Sequence, residues 1–283
     1  MKILITGCNS FLGKEISNSF LTKKHILMPT NRVILDVSSP SDVETILSKH
    51  KFDVVIHTAI SGGRRNKKDT FSDFLNNLKM FENLINNSDK FGALFNFGSG
   101  AEFNRAKGVK DAKESDKAKY MPLDYYGISK NIISNYIEES PENIYNFRLF
   151  GCFGKFEKED RFIKASVNRI LRNEEIVIHQ NKIMDFISAE DVCKVLDYYL
   201  ENYDKKTLPK DLNLCYNKKR DLNEIALSIF SFMNEKPNIK IMKTGYSPQY
   251  TGSSEKLESL NLNLKGFDES LKETIQQMVI DND

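Results

Sequence analysis

The N-terminal stretch limits the possible folds more than any other part of the sequence, because it reads as a strand, a glycine loop and a helix in direct succession. Residues 2–6 are almost all apolar, which is typical of a short buried strand. A loop at residues 7–13 follows, and Leu12, Ile16 and Phe20 then recur every four residues, as on one face of a helix. Such a unit predicts an α/β protein with a ligand site at the first strand–helix junction.

This loop has the features of a phosphate-binding site. Backbone N–H groups at the start of a helix point outward, and the helix dipole favours an anion there. Gly7 would permit the tight turn, and Gly13 would permit close packing of the helix on the strand. Ser10 stands at the middle glycine of a G-x-x-G-x-x-G pattern and adds a Cβ where a pyrophosphate would approach. We predict a dinucleotide-binding loop in which Gly7, Ser10, Phe11, Leu12 and Gly13 contact the cofactor.

The residues after the second predicted strand favour NADP(H). We predict that strand at residues 25–28, and the Pro-Thr-Asn-Arg sequence after it has no carboxylate to hold the ribose 2′-hydroxyl of NAD(H). Arg32 would instead accept a 2′-phosphate through charge-assisted hydrogen bonds. NADP(H) is therefore favoured over NAD(H), which stays open. A solvated loop residue is the alternative role for Arg32.

Further elements are predicted by the same signals. The capping-box pattern from Ser41 to Glu44 predicts the start of a helix. Residues 53–57 and 93–97 read as buried strands, and residues 74–85 read as a helix. These elements continue the alternation of strands and helices that the N-terminus begins.

Tyr126 and Lys130 are the candidate pair for proton transfer. On a helix, residues four apart lie on one face, one turn from each other, and Asp124 is a suitable N-cap for that helix. A free tyrosine has a pKa of about 10, and moving it to about 7 takes roughly 4 kcal/mol, which a nearby cation can supply in part. Ser99 follows a predicted strand at the edge where open α/β sheets bind ligands. An amphipathic helix with a chance tyrosine and lysine is the alternative.

Composition excludes several classes of partner. The chain has 283 residues, of which 40% are hydrophobic and 28% charged, and its net charge of +2 gives no reason to expect nucleic acid or an anionic membrane as a partner. Four scattered cysteines without a C-x-x-C pair fit reduced thiols. No apolar segment approaches 18 residues, and the N-terminal run is too short for a signal peptide. We expect a soluble, cytoplasmic protein.

The motifs occur in the order and spacing of a known family. They lie at residues 6–13, 54–59, 77, 99, 126–130, 148–151, 185–187, 191–192 and 222–226, and so cover nearly the whole chain. In this respect the chain resembles the extended short-chain dehydrogenase/reductases (the NAD-dependent epimerase/dehydratase family), and within them the enzymes that modify nucleotide sugars. The resemblance implies a Rossmann-type doubly wound parallel sheet in residues 1–160, to which segments of about 185–215 return. It also implies a smaller C-terminal α/β substrate domain, mainly residues 161–283.

The resemblance implies roles for individual residues. Tyr126 would be the general acid/base for the substrate oxygen, Lys130 would lower its pKa and hold the nicotinamide ribose, and Ser99 would bind the same oxygen. Besides the loop residues and this pair, the implied cofactor contacts are Asn31, Arg32, Asp36, Val37, Thr58, Ala59, Ile60, Asn77 and Phe150.

The substrate implied is a nucleotide-diphosphate sugar, bound by Ser99 and Tyr126. Arg161 and Lys164 are the candidates for its diphosphate, with surface roles as the alternative. A basic run at residues 64–68 is interpreted as a solvated loop, with substrate phosphate as the alternative. Relatives imply a homodimer, and we predict no metal site.

The residues after Ser99 distinguish reactions within the family. The 4,6-dehydratases carry two acids at the places of Gly100 and Ala101, and neither of these residues transfers protons. Glu102 comes one place too late, and on a strand-like path its side chain would point the other way. The epimerase/reductases of the GDP-fucose-synthase kind have a cysteine at the place of Ala101, which argues against C3/C5 epimerisation here.

Three functions remain. The first is an NADPH-dependent reductase of a nucleotide-linked 4-keto-6-deoxy sugar in surface-polysaccharide sugar biosynthesis, resembling dTDP-rhamnose or CDP-paratose/abequose synthases. The compact length and the absence of an acid after the second strand favour it. The second is a nucleotide-sugar 4-epimerase with tightly bound NAD, which needs the same serine, tyrosine and lysine. The third is a non-catalytic, cofactor-binding regulator, which the intact triad disfavours.

Overall fold

The structure is a computed structural model that describes residues 1–64, 67–118, 121–205 and 207–280. Its strands, in chain order, are β1 (Lys2–Thr6), β2 (Ile26–Thr30), β3 (Phe52–His57), β4 (Phe91–Ser99), β5 (Val109–Ala112), β6 (Ile144–Leu149), β7 (Cys152–Phe153), β8 (Ile176–Asn181), β9 (Ile187–Ser188), β10 (Asp211–Leu214), β11 (Ile239–Tyr246) and β12 (Tyr250–Gly252). Its α-helices are α1 (Phe11–Ser17), α2 (Pro40–Lys49), α3 (Phe71–Ile85), α4 (Tyr125–Glu139), α5 (Phe162–Leu171), α6 (Ala189–Asn202), α7 (Leu222–Phe232), α8 (Glu255–Ser259) and α9 (Phe267–Ile280).

Six strands form one sheet in the order β10-β6-β4-β3-β1-β2, and every neighbouring pair is parallel. The predicted doubly wound parallel sheet is therefore confirmed. The chain order reverses beside β1, so the carboxyl ends of β1, β3 and β4 meet at one edge. In open α/β sheets this is the place where ligands bind.

Two apolar layers cover the sheet. Successive strand residues point to opposite faces, so Ile3 and Ile5 pack in one layer with α6, whereas Leu4 packs in the other with α2, α3 and α4. A separate apolar cluster joins α5, α7, α9 and β8, and its first member is Phe153. The division of the chain at residue 160 stays a prediction.

Some predicted boundaries were wrong. β2 runs to Thr30 and includes Pro29, which this strand tolerates because it is at the sheet edge and pairs with β1 alone among the described strands. Helix α2 begins at Pro40, and Ser39, rather than Ser41, is its N-cap and accepts a hydrogen bond from the Asp42 backbone N–H. Proline at the first helical position explains the earlier start, since its ring already has a helical φ. No helix in the described ranges is both long and apolar enough to cross a membrane.

Candidate active site

Helix α4 carries the two predicted catalytic side chains. Asp124 is its N-cap, as predicted, and its Oδ1 accepts a hydrogen bond from the Gly127 N–H at 2.8 Å. Tyr126 and Lys130 are 8% and 5% exposed. Lys130 Nζ donates to the Phe97 carbonyl oxygen at 2.8 Å, which ties α4 to the end of β4. The helix therefore presents both groups at the carboxyl edge of the sheet.

Ser99 is the last residue of β4, and the structure brings it together with Tyr126. Although burial raises the pKa of Tyr126 and that of Tyr250, the Ser99 side chain lowers both, so all three side chains belong to one group. Sequence reasoning missed Tyr250, which lies on β12, more than a hundred residues after the other two. A Cβ on Gly100 would lie 2.7 Å from the Tyr250 Oη and 2.5 Å from Phe150 Cδ1. Glycine at position 100 is the one sequence signal of that close packing.

Burial dominates the electrostatics of this group. It raises the pKa of Tyr126 to about 12, against the lowering effects of the Ser99 hydrogen bond and the Arg105 guanidinium. Burial also lowers the pKa of Lys130 to about 8, and the attraction of Glu102 opposes this change. The phenol is therefore neutral at pH 7, and in this state it is equipped to donate a proton rather than to accept one.

Glu102 does not follow the predicted strand-like path. Residues Gly100–Glu102 form one turn of 3-10 helix directly after β4. The turn rotates the Glu102 side chain into the interior, where it is fully buried, and its Oε1 accepts a hydrogen bond from the Ser99 N–H at 2.8 Å. The strand-like interpretation was wrong because Ser99 and Glu102 form a capping box that starts the turn.

The loop after β1 is tightly packed. Gly7 has a φ of +70°, and a Cβ there would lie 2.6 Å from Ala59 Cα; a Cβ on Gly13 would lie 2.4 Å from the Gly7 carbonyl oxygen. Ser10 is the N-cap of α1, with its Oγ accepting from the Gly13 N–H at 3.0 Å and lying 3.2 Å from Thr58 Oγ1. A backbone cradle without room for Cβ atoms fits a dinucleotide pyrophosphate.

Phe11 and Leu12 form the first turn of α1 and pack partly against the sheet core. Backbone N–H groups in the first turn of a helix have no carbonyl partner within that helix. Their contact with the cofactor stays a prediction.

The predicted adenosine end of the site contains an ion pair. Arg32 has a side chain that is 82% exposed, and its Nε donates to Asp36 Oδ2 at 3.0 Å. Asn31 Oδ1 accepts from the Val33 N–H at 2.9 Å, which shapes the loop between them. The Ser38 hydroxyl, with smaller help from Arg32, lowers the pKa of Asp36. Val37 is buried in the layer beside α2 and α3. A carboxylate therefore lies beside Arg32, although none follows β2 directly in the sequence.

Asn77 holds the loop that follows β3. Its Oδ1 accepts from the Ser61 N–H at 2.8 Å, and its Nδ2 donates to the Ser61 carbonyl at 2.9 Å and to Ser129 Oγ at 3.1 Å. A Cβ on Gly63 would lie 3.1 Å from the Tyr126 ring, so this loop covers the phenol. In the same loop Ile60 is exposed. Residues 65 and 66 of the basic run lie outside the described residues.

The side chains of the two residues predicted to bind the diphosphate, Arg161 and Lys164, have their partners in the segment before α5. Arg161 Nε lies 3.9 Å from Glu157, and Lys164 Nζ donates to the Lys155 carbonyl at 3.2 Å. Both partners are in the segment before α5 rather than beside Ser99. Arg105 is instead the basic residue whose charge acts on Tyr126. Sequence reasoning missed it because it lies in a short 3-10 turn after Ser99 that no motif marks.

The motif at residues 185–187, Asp-Phe-Ile, supports the strand that carries Tyr250. Asp185 is buried, and its Oδ2 accepts from the Gly252 N–H at 2.8 Å and from Lys219 Nζ at 3.0 Å. Burial raises the pKa of Asp185 to about 6, while the attraction of Lys219 opposes the rise. Because Gly252 ends β12, this carboxylate fixes the strand that carries Tyr250.

Known proteins are similar to this chain in sequence and in fold. The profile of the NAD dependent epimerase/dehydratase family matches residues 3–215. The GDP-6-deoxy-D-talose 4-dehydrogenase of Aggregatibacter actinomycetemcomitans is 25% identical over 209 residues, which are 69% of each chain.

Similar solved structures include the NADP-bound GDP-mannoheptose C4 reductase from Campylobacter jejuni, with a TM-score of 0.79, 20% identity, and coverage of 99% of this chain and 97% of that one. The Thermus thermophilus UDP-glucose 4-epimerase complex with NAD has a TM-score of 0.79, 16% identity and 99% coverage of both chains. At these identities the solved structures establish a common fold.

Proposed function

The chain belongs to the NAD dependent epimerase/dehydratase family, and we propose that it is an NADPH-dependent reductase of a nucleotide-linked 4-keto-6-deoxy sugar. Its family makes it an NAD(P)-dependent enzyme of the oxidoreductase type. The observation that carries the proposal is the neutral Tyr126 hydroxyl, held beside Ser99, with glycine and alanine at the next two positions. This arrangement supplies one proton to one oxygen, and it lacks the two acids that a 4,6-dehydratase carries at positions 100 and 101.

The residues around the β1 loop suit a nicotinamide dinucleotide. The tight cradle at Gly7 and Gly13 would receive the pyrophosphate, and Arg32 would face the 2′-phosphate that distinguishes NADP(H). Lys130 would hold the nicotinamide ribose, because an ammonium has three donors and the bond to the Phe97 carbonyl uses one of them. When bound, the cofactor supplies the hydride.

The proton that the C4 keto oxygen receives would come from the protein's own residues. Ser99 and Tyr126 would both donate hydrogen bonds to the C4 keto oxygen of the sugar, which polarises the carbonyl. As the C4 carbon gains a hydride, Tyr126 Oη transfers its proton to the oxygen, and the ketone becomes an alcohol. The tyrosinate that remains would be stabilised by Lys130 and Arg105 until it regains a proton from solvent. One ketone, one NADPH and one proton thus give one alcohol and NADP⁺.

A nucleotide-sugar 4-epimerase is the second candidate, and the position of Asp36 favours it. This carboxylate lies 3.0 Å from Arg32 and offsets the charge that would attract a 2′-phosphate. A carboxylate at this end of a dinucleotide site suits the ribose hydroxyls of NAD. The epimerase would use the same Ser99, Tyr126 and Lys130.

We also propose that the chain forms a homodimer through α3 and α4. Apolar side chains on these helices are between 40% and 55% exposed, namely Phe71, Leu75, Tyr125, Ile132 and Tyr136. Packing these helices against a second copy would remove the patch from water. A sedimentation experiment that gives a monomer would contradict this arrangement.

The first experiment mixes the purified protein with NADPH and the 4-keto-6-deoxy forms of GDP-, CDP-, dTDP- and UDP-sugars, and follows the nicotinamide absorbance. Consumption of NADPH with one of them would support the reductase and name the nucleotide. If NADPH is not consumed and NAD copurifies with the protein, the epimerase is the better assignment. The Tyr126→Phe variant is the control for non-enzymatic loss of absorbance.

A further inference from the structure

A buried carboxylate that no step of the proposed reaction uses lies directly behind Ser99. Glu102 is 0% exposed, and its Oε1 accepts the Ser99 N–H at 2.8 Å. In return, Ser99 Oγ accepts the Ala101 N–H at 3.1 Å. The main chain and the side chain of the candidate catalytic serine are therefore both fixed within one turn. A Cβ on Gly98 would lie 2.3 Å from Glu102 Oε1, so the strand end also leaves space for this carboxylate.

The carboxylate is anchored by a fully buried arginine. Arg148 on β6 donates from Nε to Glu102 Oε2 at 2.7 Å, and its Nη2 lies 2.6 Å from the same oxygen. The opposite side of the guanidinium reaches β10, with Nη1 donating to Asn213 Oδ1 at 2.9 Å and Nη2 to Asp211 Oδ2 at 2.6 Å. The Phe103 ring lies 5.0 Å from the guanidinium. Ser99 is thus connected through Glu102 to the two last strands of the sheet.

We propose that Glu102 is a positioning residue of the active site, which fixes Ser99 at the end of β4 through the Arg148 anchor and sets the local charge that Tyr126 and Lys130 experience. Its effect on catalysis rests on the proposed function, whereas its effect on charge does not. The proposal differs from the sequence-based expectation, in which Glu102 is merely displaced from the position of a dehydratase acid.

A simple packing role would be filled by an apolar side chain. A buried ion pair gives little net stability compared with well-packed apolar residues, although removing one partner is strongly destabilising. The hydrogen bond to Ser99 and the negative charge give Glu102 two functions that an apolar side chain lacks. Its charge raises the pKa of Lys130 and that of Tyr126. Glu102 thereby favours the charged ammonium of Lys130, and it adds to the effect of burial in favouring the neutral phenol of Tyr126.

Other groups act on the same pair from neighbouring elements. Tyr126 also faces the Ser99 hydroxyl, the Arg105 guanidinium and, from the loop before α3, the Asp69 carboxylate. Tyr250 approaches it from β12. Burial lowers the pKa of His57 at the end of β3, and the nearby Lys130 ammonium lowers it further.

Charges around Glu102 come from three elements. Arg148 contacts it from β6, Asp211 lies on β10 beyond the arginine, and Lys117 in a 3-10 segment donates to Asp211 at 2.9 Å. Glu102→Gln leaves these groups unchanged. The electrostatic effect of this variant is therefore the removal of one negative charge near Lys130.

Glu114 offers a matched control. It is 5% exposed, it lies in a 3-10 segment, and its Oε1 accepts a backbone N–H, that of Asn213, at 2.9 Å. Glu102→Gln and Glu114→Gln therefore remove the same charge from two buried carboxylates with the same kind of main-chain bond, and only Glu102 bonds to Ser99.

The first measurement is independent of turnover. The protein is labelled with ¹³C at lysine Cε, Lys130→Arg assigns the Lys130 signal, and its titration is followed by NMR. We expect a wild-type pKa near 8, a lower pKa in Glu102→Gln, and the wild-type value in Glu114→Gln. An unchanged Lys130 pKa in Glu102→Gln would overturn the electrostatic part of the proposal, whatever the reaction of the enzyme is.

The second measurement uses the nucleotide 4-keto sugar that the wild-type protein reduces in the panel above. Glu102→Leu removes the hydrogen bond to Ser99, and we expect kcat to fall about 100-fold, the scale of a small misplacement of a reacting group, with little change in KM for NADPH. Glu114→Leu should keep kcat within about threefold. Equal losses in the two leucine variants would mean that Glu102 is structural.

Arg148 without its partner could prevent folding of the single variants. The Glu102→Leu/Arg148→Met double variant removes the ion pair as a unit, and near-normal kcat in this folded protein would overturn the positioning role. If the wild-type protein reduces no sugar of the panel, the proposed function fails, and the lysine titration still decides whether Glu102 sets the charge of the site.

Discussion

Two buried lysines near helix α4 show how this protein separates support from chemistry. Lys117 is 1% exposed, and its Nζ lies 2.9 Å from Asp211, 3.0 Å from Glu138 and 2.8 Å from Ser134 Oγ. Lys130 is 5% exposed, yet its Nζ donates to a carbonyl oxygen at 2.8 Å and burial lowers its pKa to about 8. A lysine that supports the fold is neutralised by carboxylates, whereas the candidate catalytic lysine is left with donors for a ligand.

The strongest test of this comparison replaces the active-site pair. We expect Lys130→Met and Tyr126→Phe each to lower kcat by at least about 100-fold, because general acid catalysis has this scale. Their melting temperatures should stay near that of the wild type. Steady-state NADPH oxidation and thermal unfolding give both quantities. Near-normal turnover of either variant would remove that residue from the catalytic assignment.

Lys117→Met should show the opposite behaviour. It leaves the buried carboxylate of Asp211 with one cation fewer, and we expect a loss of about 3 kcal/mol in the free energy of unfolding, which is typical of a broken buried ion pair. The kcat of the folded fraction should be close to the wild-type value. Urea unfolding gives the free energy, and Lys113→Met, at an exposed ion pair with Glu255, is the control. A kcat loss as large as that of Lys130→Met would erase the distinction between the two lysines.

The pH dependence of stability sharpens the same contrast. In the cofactor-free protein the pKa of Lys130 lies near 8 rather than at the ordinary 10.5, so the unfolded chain binds more protons between these pH values. Stability should therefore rise with pH across that window, by up to about 3 kcal/mol from this group. Lys130→Met should lack this rise. If the free energies of unfolding of the wild type and of Lys130→Met change in parallel from pH 7 to 10, the lowered pKa of Lys130 is contradicted.

The smallest effect concerns an exposed cation. Arg32→Ala should weaken the binding of NADPH about tenfold or more and that of NADH much less, since a charge-assisted hydrogen bond to a 2′-phosphate is lost. Its stability should change by less than about 1 kcal/mol, because the Arg32–Asp36 pair is at the surface. Fluorescence titration with both cofactors gives the ratio. Asp36→Asn, which removes the other charge of the pair, is the matched variant. If Arg32→Ala weakens the binding of NADPH and NADH equally, Arg32 does not bind the 2′-phosphate.

The sequence predicted those parts of the molecule that depend on local patterns. The strand at residues 2–6 and the Asp124 cap follow from apolar periodicity and capping chemistry, and the approach of Ser99 to Tyr126 agrees with what the family resemblance implies. The burial of the Glu102 carboxylate was missed because its partner, Arg148, lies on another strand. Tyr250 was missed for the same reason, since its place depends on the pairing of β12 with β5.

The binding of a diphosphate by Arg161 and Lys164 stays a prediction. The family resemblance suggests these two residues, and in the structure their side chains bind neighbours within residues 155–159. Arg105 has no motif to mark it, although its charge acts on Tyr126. Which cation faces a site is decided by how a loop folds over it, and periodicity carries no information on that.

The anchoring of Arg148 by β10 has a consequence for the synthesis of the chain. Asp211 and Asn213 are made more than sixty residues after Arg148, so a nascent chain that ends at residue 160 contains the glycine loop, Ser99 and Tyr126, but of these partners of the arginine it has Glu102 alone. In such a fragment the side of the guanidinium that faces β10 would lack its carboxylate and amide partners. The first 160 residues therefore cannot complete their own sheet on the ribosome, and the active site becomes competent when the last strand has left the exit tunnel and docked.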